Sequence, residues 1–493
     1  MAVLQAMVLS STFCIALNDV PDEGTVALQA LRVLQGQLGH RDYFIQTPLS
    51  GDYWVAAWFS VFGSSLESLR LYFITEMALL VACLQWTSAQ LLRRGWSELP
   101  ALAFLCNAPF CWYIASPRWD ACLWIMLALS QVNSGRRWWL TGAGVGLAAL
   151  TQHPAGAAAC AGIGLAMLLQ PKPTWQEIRL FAGGVLLFWF PYVLFLASQG
   201  LVSNFLYDTI FFNLTNYVSP VPYDWRAFGD NFRASWGLFA HGEFWPGLLT
   251  LGYACTDVST YGCWFLTILL GLALALRERR VLPLAITLTL LFLTLLEIMR
   301  PNRYHFNFHL PLVLMVMAYI GSRCGRLGVG AAVVFLAAHA LVLLGHRTSN
   351  ASHNQPVSLP NGTLYLRSPG RAEALRRIAE VNASIPAREK MFVFPDDPSV
   401  QWLLGRGPTT REVAAAVCFY TFTQFQAIRQ SLDEEKVENL LFIPLAFSPD
   451  SYPAVTARQF QEQQEWLVEY FTTNYTLTTS VVGVSFYRRK VLP

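Results

Sequence analysis

Eleven apolar runs punctuate the first 345 residues of this chain, at 3–17, 71–92, 99–115, 119–132, 138–150, 155–169, 181–197, 261–276, 282–299, 308–320 and 329–344. A helix needs about 20 apolar residues to cross a hydrocarbon core of about 30 Å, and against that template the runs read as candidate membrane helices. The shorter ones are expected to be re-entrant or to sit behind other helices, where irregular backbone is tolerated. Composition agrees: 54% of the residues are hydrophobic and 13% are charged, against roughly 25% charged in average soluble chains. The first run lacks a basic leading segment and a small-residue cleavage pattern, so it reads as a membrane helix rather than a removable leader.

Arg93 and Arg94, Arg136 and Arg137, Lys172 and Arg179, Arg277 with Arg279 and Arg280, and Arg323 with Arg326 fall on alternate connections. The positive-inside rule assigns those connections to the cytoplasm. Segments 18–69, 116–118, 151–154, 198–260 and 300–307, and everything after 345, are then expected outside, and the setting is expected to be a bacterial inner (plasma) membrane. From residue 347 onward charge rises and apolar runs shrink to strand-sized pieces at 391–394, 440–444 and 480–488, with helical patterns at 371–382 and 422–432 between them. The expected fold class is therefore mainly α: a polytopic membrane domain over 1–345, with outer loops 18–69 and 198–260, followed by a small extracytoplasmic α/β domain over 346–493. No internal repeat is evident, which weighs against transporters built from repeats.

A net charge of +3 is too small for a nucleic-acid footprint. The ten cysteines are scattered singly, with no CxxC pair or Cys/His cluster; no metal and no other cofactor is expected. Cys255 and Cys263 are close enough in sequence to be paired. No Gly-rich phosphate loop is present, and no cytoplasmic domain large enough for a nucleotide sugar, which favours a lipid-linked donor. The expected outer tail carries glycan-acceptor triplets that begin at Asn350, Asn361, Asn382 and Asn474, and they carry information only in a host that glycosylates them.

The segment 18–69 opens with Asn18-Asp19-Val20-Pro21-Asp22-Glu23-Gly24, adjacent carboxylates just past a membrane helix. Taken alone, Asp22 is a plausible N-cap with Glu23 in a dipole-favoured first turn. Near an interface the same carboxylates can be tuned to accept a proton. An amphipathic helix at 25–35 and a second helix through Phe62 would form an aromatic-edged ledge beside the membrane. Arg300, Arg303, His305 and Arg118 read either as interfacial snorkelling residues or as cations for phosphate oxygens. Asp42 reads as a solvated turn residue or a second carboxylate of the site; Asp120 as a helix-start residue beside Arg118 or another such carboxylate. Asp52 reads as structural. Glu76 and Glu297 sit in apolar helices, as interhelical hydrogen-bond sites or pocket residues.

In order along the chain, Asp22-Glu23, the 25–35 helix, Gly39 to Tyr43, Pro48-Leu49 with Tyr53-Trp54, Phe62-Gly63-Ser64-Ser65 and Arg70 resemble the first outer loop of superfamily C (GT-C) polytopic glycosyltransferases, in the protein O-mannosyltransferase and aminoarabinose-transferase-like branch. The resemblance continues through Arg118-Trp119-Asp120, 142–152 and 300–311. The chain departs from that pattern with Gln46-Thr47 before Pro48-Leu49 and with Gln152-His153 after the fifth run. The resemblance implies an inverting transfer of a hexosyl or pentosyl unit from a polyprenyl-phosphate donor to a hydroxyl of a lipid, glycan or protein acceptor. It makes Asp22 the catalytic base or an acceptor-orienting carboxylate with Glu23 its neighbour, and Asp42, Tyr53, Arg70, Arg118, Asp120, Arg300, Arg303 and His305 are the candidate substrate-binding residues. A flippase for a lipid-linked glycan, and a non-catalytic assembly subunit, are the competing expectations.

Overall fold

The computed structural model describes residues 22–48, 50–111, 114–134, 137–170, 174–217, 226–256, 263–297, 308–351, 355–366, 368–394, 398–411, 421–443, 454–481 and 484–490. The run at 3–17 lies outside them. The other apolar runs are helices: Leu66–Leu91, Leu99–Cys111, Pro117–Gln131, Trp138–Thr151, His153–Leu168, Trp175–Ser198, Trp264–Glu278, Val281–Glu297, Leu310–Gly321 and Gly325–Ala351. Their starts carry local reasons. Ser65 caps Ser68, Ser116 caps Arg118 with Pro117 at the first helical position, and Thr174 and Glu177 form a capping box, each satisfying donors that a helix start leaves orphaned.

These helices enclose one apolar core that includes Phe73, Leu84, Phe104, Trp119 and Met315. Small residues let the backbones touch. A Cβ on Gly142 would stand 2.0 Å from the Phe181 carbonyl oxygen, and one on Gly184 would stand 2.1 Å from that of Trp139, the kind of close approach that drives helix association where lipid offers no hydrophobic gain. Trp175–Ser198 is long and apolar enough to cross a bilayer, and the helices His153–Leu168 and Leu310–Gly321 are shorter apolar segments. Leu186, Leu187, Phe190, Val193 and Leu194 of the long helix are exposed, a face that suits lipid rather than water.

Two further helices precede this bundle in the chain, the acidic helix Asp22–Leu34 and the ledge helix Ser50–Phe62. The acidic helix is described from Asp22, three residues before the expected 25–35, and so includes Asp22 and Glu23. Segment 198–260 contains the short helix Val202–Leu206, two π-helical turns at Tyr207–Phe211 and Asn213–Tyr217, and the helices Arg226–Ala240 and Phe244–Thr256. Cys255 and Cys263 are free thiols.

The helix Gly325–Ala351 runs past residue 345, because no Gly or Pro interrupts 346–351. An antiparallel hairpin follows, β1 (Gln355–Leu359) with β2 (Gly362–Leu366). Beyond it lies a mixed sheet in the order β3-β4-β6-β5, from β3 (Met391–Phe394), β4 (Asn439–Phe442), β5 (Tyr475–Val481) and β6 (Val484–Arg489). β3 and β4 are parallel and the other neighbours antiparallel. Helices Pro369–Ser384, Pro398–Leu403, Phe422–Glu434 and Ala454–Asn474 complete the region. Arg406 gathers the carbonyl oxygens of Asn382, Ile385, Pro386 and Glu389 at 2.9–3.1 Å. Asn361, Asn382 and Asn474 donate their side-chain amides to the carbonyls of Trp402, Leu404 and Tyr470, so in the fold these acceptor-type asparagines are structural.

The C-terminal region has two cores. The distal one gathers Phe394, Phe425, Ile428, Phe471 and Tyr475. The proximal one is shared with the N-terminal helices: Val26, Leu28, Tyr43 and Phe59 pack together with Val357, Leu364, Leu375 and Trp402. The acidic helix, the ledge and the C-terminal hairpin are therefore one body, seated on the end of the helix Leu66–Leu91.

Candidate active site

Glu23 is 1% exposed, and its carboxylate meets the Arg70 guanidinium at 3.0 Å, also buried. Burial pushes the Glu23 carboxyl above its ordinary range, and the Arg70 charge partly opposes that rise. Its second oxygen, Oε1, is buried and has no hydrogen-bond partner among the described residues. A buried ion pair is costly to strip of one member and has small net worth as a pair, so an unsatisfied acceptor beside it suits a functional site better than a stability device.

The backbone around Glu23 is held from the other end of the chain. The Gly24 amide donates to Ser399 Oγ at 3.2 Å. The Leu66 amide, at the start of the helix bearing Arg70, donates to the Asn361 carbonyl at 2.7 Å, and the Glu67 carboxylate accepts from the Thr363 amide at 2.9 Å.

Further along Leu66–Leu91, the Tyr72 hydroxyl donates to Asp120. Glu76, buried with Asp120, faces the same carboxylate. Asp52 of the ledge is fully buried, and the Tyr43 hydroxyl reaches it at 3.5 Å. Burial lifts the Asp52 carboxyl well above its usual range; the Tyr43 hydrogen bond opposes this and the nearby charge of Asp120 adds to it. Tyr53, beside it, is 36% exposed. Arg118 lies over the Phe308 ring at 5.6 Å, and Trp119 packs against the same ring.

A third buried contact ties segment 198–260 to this body. His40, at φ 63°, places Nδ1 2.9 Å from Asp208 Oδ2, and its carbonyl accepts from Asn204 at 2.9 Å. Burial raises the Asp208 carboxyl, while the hydrogen bond and charge of His40, and the Arg411 charge, offset part of the rise.

The sequence-predicted residues thus fall into groups. Glu23 and Arg70 come together, with Asp22 one residue away in the same turn; the Asp22 side chain is outside the described set. Asp120 joins Tyr72 and Glu76 rather than Arg118. Asp42 pairs with exposed Arg41 and caps the Leu38 amide at 2.8 Å, which pulls its carboxyl below the usual range, the Arg41 hydrogen bond contributing most. Arg300, Arg303 and His305 lie outside the described residues. Among the described residues no group of three or more His, Cys, Asp or Glu is placed to hold a metal ion.

The sequence reading passed over Tyr72, Ser399, His40 and Asp208. Tyr72 had a signal: it is four residues before Glu76, on the same helix face. Ser399 had none of its own, although a glycine in the first turn of a helix, at Gly24, is the usual mark of a close backbone approach.

No protein-family model matches the sequence, and no curated protein matches it. Solved structures do match in fold, two of ArnT among them. ArnT from Cupriavidus metallidurans bound to undecaprenyl phosphate superposes with a TM-score of 0.62 at 11% identity, over 99% of this chain and 96% of ArnT. ArnT from the same organism in the apo state superposes with a TM-score of 0.62 at 12% identity and the same coverage. The chain has the fold of ArnT. The likeness spans the N-terminal helices, the membrane bundle and the C-terminal region together, so the shared body above the bundle belongs to the architecture. At this identity the likeness fixes the fold, and the chemistry rests on the geometry of Glu23, Arg70 and their neighbours.

Proposed function

We propose that this chain is an inverting glycosyltransferase that moves a monosaccharide from a polyprenyl-phosphate donor to a hydroxyl acceptor at the extracytoplasmic face of the membrane. The observation that carries the reading is the superposition of the whole chain on ArnT, a protein solved with undecaprenyl phosphate bound. The buried Glu23–Arg70 pair supports it, standing where the membrane bundle meets the outer body.

In this reading Asp22 takes the proton of the acceptor hydroxyl as that oxygen attacks the anomeric carbon from the face opposite the phosphate. The bond from the anomeric carbon to the phosphate oxygen breaks, and the polyprenyl phosphate leaves with the electron pair. One carboxylate for the proton and cations for the departing phosphate are what such a displacement needs. Glu23 and Arg70 fix the turn that carries Asp22. Arg118, with Arg300, Arg303 and His305, supplies positive charge for the phosphate, for which guanidinium forks are suited. Asp120 and Tyr53, with Asp42 at the margin, orient sugar or acceptor hydroxyls.

The test is sugar transfer by purified protein in liposomes, supplied with a panel of polyprenyl-phosphate sugars and a membrane extract as acceptor. Transfer from one donor, with release of polyprenyl phosphate, is expected. Movement of the intact lipid-linked sugar across the bilayer without bond cleavage would instead make the protein a flippase.

A further inference from the structure

We infer that the C-terminal region is a positioning element of the active site, and that Ser399 is the residue through which it sets the acidic motif; the link to catalysis rests on the glycosyltransferase reading. The first turn of a helix leaves backbone amides without partners inside the helix. In the acidic helix Asp22–Leu34 the Gly24 amide finds an acceptor far along the chain. The acceptor comes from Ser399 Oγ, 375 positions along the chain. The partner helix Leu66–Leu91 is held the same way, its Leu66 amide by the Asn361 carbonyl and its Glu67 side chain by the Thr363 amide. The two helices that bring Glu23 and Arg70 together are thus both gripped at their starts by the C-terminal region.

The grip is close and has little give. A Cβ on Gly24 would stand 2.1 Å from the Ser399 nitrogen and 2.3 Å from its Cα, so backbone lies against backbone. At the second contact a Cβ on Gly362 would stand 2.6 Å from Leu66 Cβ and 2.8 Å from Glu67 Oε2, and Gly362 has a φ of 135° that side chains rarely adopt. The two contacts belong to one unit. Asn361 donates its amide side chain to the Trp402 carbonyl and its backbone amide to that of Leu403. Trp402 in turn stacks on Phe59 of the ledge, with ring planes 16° apart. Motion of this unit would shift both halves of the Glu23–Arg70 pair, and a displacement of about 1 Å at a catalytic group can cost about 100-fold in rate.

The experiment uses the full chain in liposomes and compares wild type with Ser399→Ala and Ser399→Thr by hydrogen-exchange mass spectrometry and by transfer kinetics. Ser399→Ala is expected to speed exchange about 5-fold in the first turn of Asp22–Leu34, as loss of a helix cap does, and to leave Trp175–Ser198 unchanged. The same variant should lower kcat about 10-fold with the donor KM within about twofold, and Ser399→Thr, which keeps the hydroxyl, should recover both. Unchanged exchange at 22–34 would overturn the inference, as would faster exchange with wild-type kcat. Should the wild type transfer from no donor, the glycosyltransferase reading falls, and the exchange data alone decide whether Ser399 fixes the acidic helix.

Discussion

Glu23 and Asp120 both reach the helix Leu66–Leu91, and they meet opposite company there. Glu23 comes from the body above the bundle and meets Arg70, a cation. Asp120 comes from the membrane helix Pro117–Gln131 and meets Tyr72 and Glu76, a phenol and a second carboxylate. Helix geometry explains how one element serves both. At 3.6 residues per turn Arg70 and Tyr72 point about 200° apart, whereas Tyr72 and Glu76 share a face. Leu66–Leu91 is therefore a common wall, with a charge-balanced side towards the outer body and an acidic side towards the bundle. A site built across such a wall joins two bodies with separate cores, and its geometry depends on how those bodies are fastened.

Breaking the balanced side should have the largest effect. Arg70→Ala strands a buried carboxylate and is expected to cost about 3–5 kcal/mol, seen as a large fall in the midpoint of a thermal melt in detergent. Adding Glu23→Gln to Arg70→Ala should recover most of that loss, since the amide needs no counter-ion. A double variant as unstable as Arg70→Ala alone would show that Arg70 serves other partners instead.

On the side where carboxylates crowd, pH is the sharper probe. Asp52 is buried, and its carboxyl is raised above the roughly 3.9 of an unfolded chain. A group whose folded value is raised stabilises the fold fully below its unfolded value, and that stability is lost as pH rises through the folded value. Asp52→Asn should therefore gain thermal stability relative to wild type as pH rises above the unfolded value of about 4, with little difference at that pH. A gap that stays constant with pH would mean that Asp52 does not titrate in that window.

Tyr72→Phe should have the smallest effect, about 1 kcal/mol for one lost hydrogen bond. It bears on the comparison through activity. If the acidic side orients sugar or acceptor, kcat/KM falls further than stability does; a proportional loss would make the Tyr72–Asp120 contact structural.

Much of this was readable beforehand. Apolar runs of membrane length gave the bundle, because hydropathy is a local property and lipid enforces it over whole helices. The resemblance along Asp22-Glu23, Pro48-Leu49, Tyr53-Trp54 and Arg70 pointed to the aminoarabinose-transferase-like branch, and the superposition shows the fold of ArnT. What stayed hidden is long-range. Glu23 and Arg70 are 47 residues apart, and Gly24 and Ser399 are 375 apart; neither spacing leaves a periodic trace. Asp52 read as structural, and its burial against Tyr43 and near Asp120 depends on how the ledge folds back. Asp22 resembles a cap in the sequence, whereas the helix already includes it.

The most direct test of the central claim is transfer from the polyprenyl-phosphate sugar that the wild type accepts, measured in liposomes for wild type and Asp22→Asn side by side, with the folded state of each confirmed by its melt. The account predicts that the folded Asn variant still binds donor and loses transfer by about 100-fold or more, the usual worth of a general base. Equal transfer by both proteins would contradict it and remove Asp22 from the chemistry.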